Sequence, residues 1–186
     1  MSVREIVTIG DPVLRERARE VGVEELRSPA VQQLIDDLIE TKRAANGAGL
    51  AAPQVGESLR IAIAEVEPDN PRYPYKPPVP LTVIVNPELE PVGDGQVEIV
   101  EGCLSVPDLR GAVPRYEAVR VRYLDRDGVE HDEVRRGLTA GTFQHEVDHL
   151  DGILFLDRVT DPTTFSTWAH SDFEARAREI VERLGE

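Results

Sequence analysis

The sequence predicts an α+β fold in a single domain spanning residues 1–186. Three observations carry this. Short, β-rich apolar stretches fill the middle of the chain. Helical spacing is confined to the beginning, the late middle and the end. Strands and helices do not alternate, as a parallel sheet would require. A chain of 186 residues can bury one sizeable core, and nothing in it demands two.

Val3 to Ile9 reads as a short edge strand ending at Gly10, and Asp11-Pro12 as an N-cap with proline at the first helical position. Ser28-Pro29 repeats that signal. Val31, Leu34, Ile35, Leu38, Ile39 and Ala45 then recur at helical spacing, so a helix is expected from about Pro29 to Asn46, capped by Gly47. Gly47 to Gln54 reads as a loop of small residues, and Leu59 to Ala64 as a strand. Six of the 14 prolines fall between Pro68 and Pro80, which makes that stretch an extended surface loop. Leu81 to Asn86 and Gln96 to Val100 are β-rich, with Gly93-Asp94-Gly95 turning the chain between them. The segment Glu101 to Pro107 looks too irregular for an ordinary strand. Ala118 to Leu124 and Val129 to Val134 form a hairpin across Asp125–Gly128. Gly137 leads into a helix carrying His145 and His149, with Gly152 past its end and an apolar segment at Ile153–Leu156. A terminal amphipathic helix is expected from about Asp172 to Leu184, with Ser171 and Glu174 as a capping box.

The N-terminus shows no basic flank followed by an apolar run, and no stretch reaches membrane-spanning length, so a cytoplasmic protein is expected. The net charge of −14 argues against a general nucleic-acid surface, which needs clustered Lys and Arg. The single cysteine, Cys103, excludes an intramolecular disulfide. A lone cysteine is more often a small buried hydrophobe than a reactive group.

The chemistry gathers at Gln144-His145-Glu146-Val147-Asp148-His149, which contains H-E-x-x-H. On a helix, residues i and i+4 share a face, so His145 and His149 can aim at one cation while Glu146 serves as a base beside it. Such a site needs a third ligand and an open position. No later histidine has the spacing of the longer zinc-peptidase pattern: His170 is too distant, and His131 sits in a charged hairpin arm facing solvent. Cys103 is left as either a core thiol or a ligand. The glycines at Gly47–Gly49 alone are too weak a signal for a phosphate site.

GAGLAAPQ at Gly47–Gln54, EGCLSVP at Glu101–Pro107 and QHEVDHLDG at Gln144–Gly152 resemble, in order and spacing, the three signature motifs of peptide deformylases. The resemblance implies mixed, mostly antiparallel sheets packed around a central H-E-x-x-H helix. It implies removal of the N-formyl group from the initiator methionine of new polypeptides, giving formate. Cys103, His145 and His149 would bind one divalent metal, Fe(II) in the family's usual form, with Zn(II), Ni(II) or Co(II) able to substitute. Glu146 would move the proton, while the Gln54 side-chain amide and the Leu104 backbone N–H would stabilise the oxyanion. Gly49 would let the peptide pass close to the metal, and Arg110 would lie near the substrate backbone.

Glycine at 141 and alanine at 48 are smaller than is usual in the family. Gly141, Ala48 and Thr142 would line the methionine pocket, where room for a larger side chain, such as phenylalanine, is therefore expected. The terminal helix balances Arg176, Arg178 and Arg183 with acids, so it lacks a basic face for ribosomal RNA even if the protein visits the ribosome transiently. Glu101 and Arg115 are expected to pair structurally. Two other readings remain: a zinc metallopeptidase, supported by H-E-x-x-H alone, and a non-catalytic binder of formylated tails.

Overall fold

Asp11 and Ser28, each followed by proline, both form their caps in the computed structural model, which describes residues 2–68 and 70–185. The Asp11 carboxylate accepts from Val13 N–H at 3.0 Å and opens a 3₁₀ turn, Pro12–Arg15. A single helical turn, α1 (Val23–Leu26), precedes α2 (Pro29–Ala44), where Ser28 Oγ accepts from Val31 N–H at 3.3 Å. α2 buries Val31, Leu34, Ile35, Leu38 and Ile39, the expected stripe. It stops two residues early, because Asn46 rather than Gly47 takes the left-handed conformation, at φ 51°.

The strands are β1 (Gly49–Ala51), β2 (Ile61–Val66), β3 (Val79–Pro91), β4 (Gln96–Cys103), β5 (Val106–Tyr116), β6 (Ala118–Leu124) and β7 (Glu130–Arg136). Then follow α3 (Gly137–Leu150), α4 (Phe155–Arg158), β8 (Ser166–Thr167) and α5 (Phe173–Leu184). One sheet has the order β1-β2-β3-β6-β7 and the other β4-β5-β8, with every neighbouring pair antiparallel. β2 is buried on both faces. Ile61 and Ile63 join the core under α2, while Ala62 and Ala64 face Ala140, Phe143 and Leu150 of α3. Those two alanines leave room for α3, which packs against β1, β2, β3, β6 and β7 of the first sheet and β5 of the second.

Several expectations change. Val3 to Ile9 is not a strand, and Ile9 already belongs to a turn. Its donors go to scattered partners: Arg4 N–H to Thr41 Oγ1, Val7 N–H to the Gln54 carbonyl and Ile9 N–H to the Ser105 carbonyl. Gly47 to Gln54 is not simply a loop, since Gly49, Leu50 and Ala51 pair with Ala64, Ile63 and Ala62. Glu101 to Pro107 is mostly strand, folded by a tight turn at Leu104-Ser105 that places Cys103 opposite Val106. Within Ile153–Leu156, residues 155 and 156 begin the short helix α4. Ser171 accepts from Phe173 N–H at 3.3 Å, and Asp172 rather than Ser171 is the α5 cap, so the capping box does not form. His131 is half-buried, stacked on Tyr123 and bonded to Asp125. Met1, Asp69 and Glu186, included in the readings of the N-terminus, the proline-rich loop and the last helix, lie outside the described residues.

No described helix is long and apolar enough to cross a membrane. Arg176, Arg178 and Arg183 are paired with Asp172, Glu174 and Glu117.

Candidate metal centre

α3 brings the two histidines together as its periodicity requires, with ring centroids 4.9 Å apart and planes at 78°. Cys103, at the end of β4, meets them from the other sheet, its Sγ 3.2 Å from His149 Nε2. One ligand atom from each of Cys103, His145 and His149 lies within 4.8 Å of the others. A thiolate and two imidazoles at that separation are a donor set suited to a divalent transition metal.

The residues around the cluster fix its protonation. Glu101 accepts from His145 Nδ1 at 2.9 Å, which leaves Nε2 to face the sulfur. Glu101 is held by both arms of Arg115, at 2.7 and 2.9 Å; Arg115 also reaches Asp148 at 2.6 Å, and Asp148 is bound by Arg158. Burial opposes ionisation of Glu101, but Arg115 and His145 overcome it and hold the carboxyl well below its usual range. Burial likewise opposes the Cys103 thiolate, yet the imidazoles of His149 and His145 bring the thiol down to about 5. Glu146 goes the other way: burial pushes it up to about 7, against the pull of both histidines. Its Oε2 and His149 Nδ1 are buried without a protein partner, so the site has polar capacity its own side chains do not use.

Gly49 sits where β1 crosses this helix. A Cβ there would lie 2.2 Å from Glu146 Oε1, so the space beside Gly49 belongs to the Glu146 carboxylate. Gly49→Ala is expected to displace that carboxylate. Unfolding should be nearly unchanged, because the displaced group is the end of a flexible side chain. A structure of the variant and its thermal melting check both.

Gln54, after β1, accepts from Ala51 N–H at 2.9 Å through Oε1 and points Nε2 at Cys103 Sγ (3.5 Å) and Ser105 Oγ (3.2 Å). Leu104 occupies the turn next to it. Gln54, Cys103 and Leu104, with Ala48, Gly49, Gly141, Thr142 and Arg110, border one cleft. The extra room expected at Gly141 is absent: Ile99 Cδ1 lies 2.4 Å from where a Cβ would be. Arg110 is buried, with its guanidinium 3.6 Å from the Trp168 ring centroid and 4.2 Å from that of Phe173. Tyr73, Tyr75 and Lys76 of the proline-rich loop, together with Phe173, Ala177 and Ile180 of α5, complete the lining. The sequence reading missed these. For the loop residues the one visible signal is aromatic and basic residues set among prolines, and for those of α5 it is the apolar stripe of the helix.

Residues 3–165 match the model of the polypeptide deformylase family. The chain belongs to the peptide deformylase family. Deformylation, the hydrolytic release of formate from N-formylmethionyl polypeptides, is its activity, and the family depends on a metal ion. Curated deformylases are similar over most of its length. That of Leptospira biflexa is 43% identical over 165 residues, covering 89% of this chain and 92% of its own. That of Thermomicrobium roseum is 47% identical over 166 residues, covering 88% and 90%. A Met-Ala-Ser-bound class I type b peptide deformylase from Acinetobacter baumannii superposes with a TM-score of 0.81 at 43% identity, covering 86% of this deformylase and 100% of that chain.

Proposed function

We propose that Cys103, His145 and His149 hold the metal of this deformylase, and that Glu146, Gln54 and Leu104 carry the reaction around it. The observation that bears this reading is the convergence of the three ligand atoms beside an unpartnered Glu146 carboxylate oxygen. Fe(II) is the proposed native ion, with Zn(II), Ni(II) or Co(II) able to replace it. The helix α3 is proposed as the element around which both sheets are organised, within one catalytic domain of residues 1–186.

When bound, a divalent cation there makes water in the cleft more acidic and draws charge from the formyl oxygen. Glu146 takes a proton as water adds to the formyl carbon, and returns one to the amine as the C–N bond breaks and formate leaves. A carboxyl lifted to about 7 by burial suits both directions of that transfer. Gln54 Nε2 and the Leu104 N–H supply donors to the oxygen that gains charge. Gln54 is held in place for this by its bond from Ala51 N–H. β1 is the outer strand of its sheet, so a substrate backbone can pair along its free edge, with Arg110 further out and Ala48, Gly141 and Thr142 around the first side chain. Any transient contact with the ribosome would not use the α5 arginines, which are ion-paired.

The experiment is formate release from formyl-Met-Ala-Ser, with acetyl-Met-Ala-Ser and an internal peptide bond as controls, and metal analysis after anaerobic purification. Chelation is expected to abolish formate release and one equivalent of Fe(II) to restore it. Activity that survives complete metal removal would overturn the reading.

A further inference from the structure

Only two of the 21 basic residues are lysines, Lys42 and Lys76, and the structure turns both ammonium groups inward. Loop lysines ordinarily lay their stems on apolar surface and keep the charge in water. Lys42 is explained by its partner, since its Nζ lies 2.6 Å from Glu65 Oε2. Lys76 has no such partner. Its residue is partly exposed, but the side chain reaches into the cleft, donating to Thr142 Oγ1 at 3.1 Å and lying 5.0 Å from the Tyr73 ring centroid. Among the described residues no carboxylate comes within ion-pair distance of it. Burial lowers it to about 8, against the pull of the Glu101 and Glu146 carboxylates, which favour its charged form. An ammonium has three donors, and a hydroxyl and a ring face leave some unspent. An ammonium half-buried in the cleft with donors to spare can take an acceptor from outside the chain.

The position says which acceptor. Thr142 precedes His145 by three residues on α3, so Lys76 Nζ sits about one turn from the metal cluster, on the same face. Ala48, Ile99, Leu138 and Gly141 are apolar members of the cleft's lining, with Ile99 filling the space beside Gly141, and Lys76 and Thr142 are polar members of it. A long unbranched side chain fits if its far end accepts a hydrogen bond. The first residue of a formylated chain is methionine, whose thioether sulfur is a weak acceptor and whose sulfoxide oxygen is a strong one.

We propose that Lys76 reads the far end of the first side chain and equips this deformylase to act on N-formyl peptides that begin with methionine sulfoxide. The inference rests on the assignment of this cleft to the first side chain made above. The reaction is the same hydrolysis: water adds, the formyl C–N bond breaks, and the sulfoxide is unchanged.

The test compares kcat/KM for formyl-Met-Ala-Ser, its sulfoxide and the formyl-norleucine analogue in wild type, Lys76→Met and Lys76→Arg. The ratio of sulfoxide to methionine is the readout, because a structural defect lowers all three substrates together. Wild type is expected to hydrolyse the sulfoxide within about tenfold of methionine. Lys76→Met should lower the ratio by roughly tenfold or more, chiefly through KM, as loss of one charged hydrogen bond does. Lys76→Arg should restore it. A wild-type ratio below about one in a hundred overturns the inference, whatever the variants do. So does an unchanged ratio in Lys76→Met, or an equal rise for all substrates, which would make Lys76 an obstruction. If wild type fails on formyl-Met itself, the assignment of the site is what fails.

Discussion

Glu146→Gln is expected to keep the fold and the metal while formate release falls by roughly 10²- to 10⁴-fold. Glutamine matches glutamate in size, so the space beside Gly49, where a Cβ would meet Glu146 Oε1 at 2.2 Å, stays filled. What disappears is a group that can both take and give a proton. The neighbouring imidazoles face other partners. His145 Nδ1 is committed to Glu101, and His149 Nε2 lies against the Cys103 sulfur. Metal content and single-turnover formate release, measured on the same sample, separate loss of the base from loss of the site. Full metal with wild-type turnover would mean that another group moves the proton.

Cys103→Ser is expected to weaken metal binding and abolish most activity, since a neutral hydroxyl is a far poorer ligand than a thiolate. The thiol is prepared for that role before any metal arrives, because the two imidazoles bring it down to about 5 despite its burial. In the holo-protein it should resist alkylation until the metal is chelated. Cys103→Asp offers a carboxylate and is expected to recover some metal with little turnover, because the oxygen cannot sit where Sγ sits. The competing account makes Cys103 a core thiol, and it packs with Leu14, Val106, Val113 and Phe155. On that account serine costs some stability and leaves metal and turnover alone. Chelator titration of wild type and Cys103→Ser at equal concentration tells the two apart.

What the sequence makes legible here is what is local. The caps at Asp11 and Ser28, the α2 stripe, the hairpin of β6 and β7 and the i, i+4 histidines all depend on neighbours a few residues away. The ion pair of Glu101 with Arg115 was legible too, though not its extension to Asp148 and Arg158. Elements defined by distant partners were missed. Gly49–Ala51 is a strand only because Ala62–Ala64 lies alongside it, and Val3 to Ile9 fails as a strand because its donors find several unrelated acceptors. Spacing alone leaves Cys103 open, since it stands 42 positions before His145; the resemblance implies it as a ligand, and the fold brings its Sγ beside the two imidazoles. The filling of Gly141's space by Ile99 joins β4 to α3 and leaves no mark in either segment alone. Lys76 was hidden for the same reason: its partner, Thr142, is 66 residues away.

The most direct test of the metal assignment is X-ray absorption at the metal edge of the iron- or nickel-loaded protein, compared with Cys103→Ser loaded at high metal concentration. The account predicts one sulfur and two imidazole nitrogens around the metal in the wild type, with the sulfur contribution gone in the variant. A wild-type spectrum with only nitrogen and oxygen neighbours would contradict it.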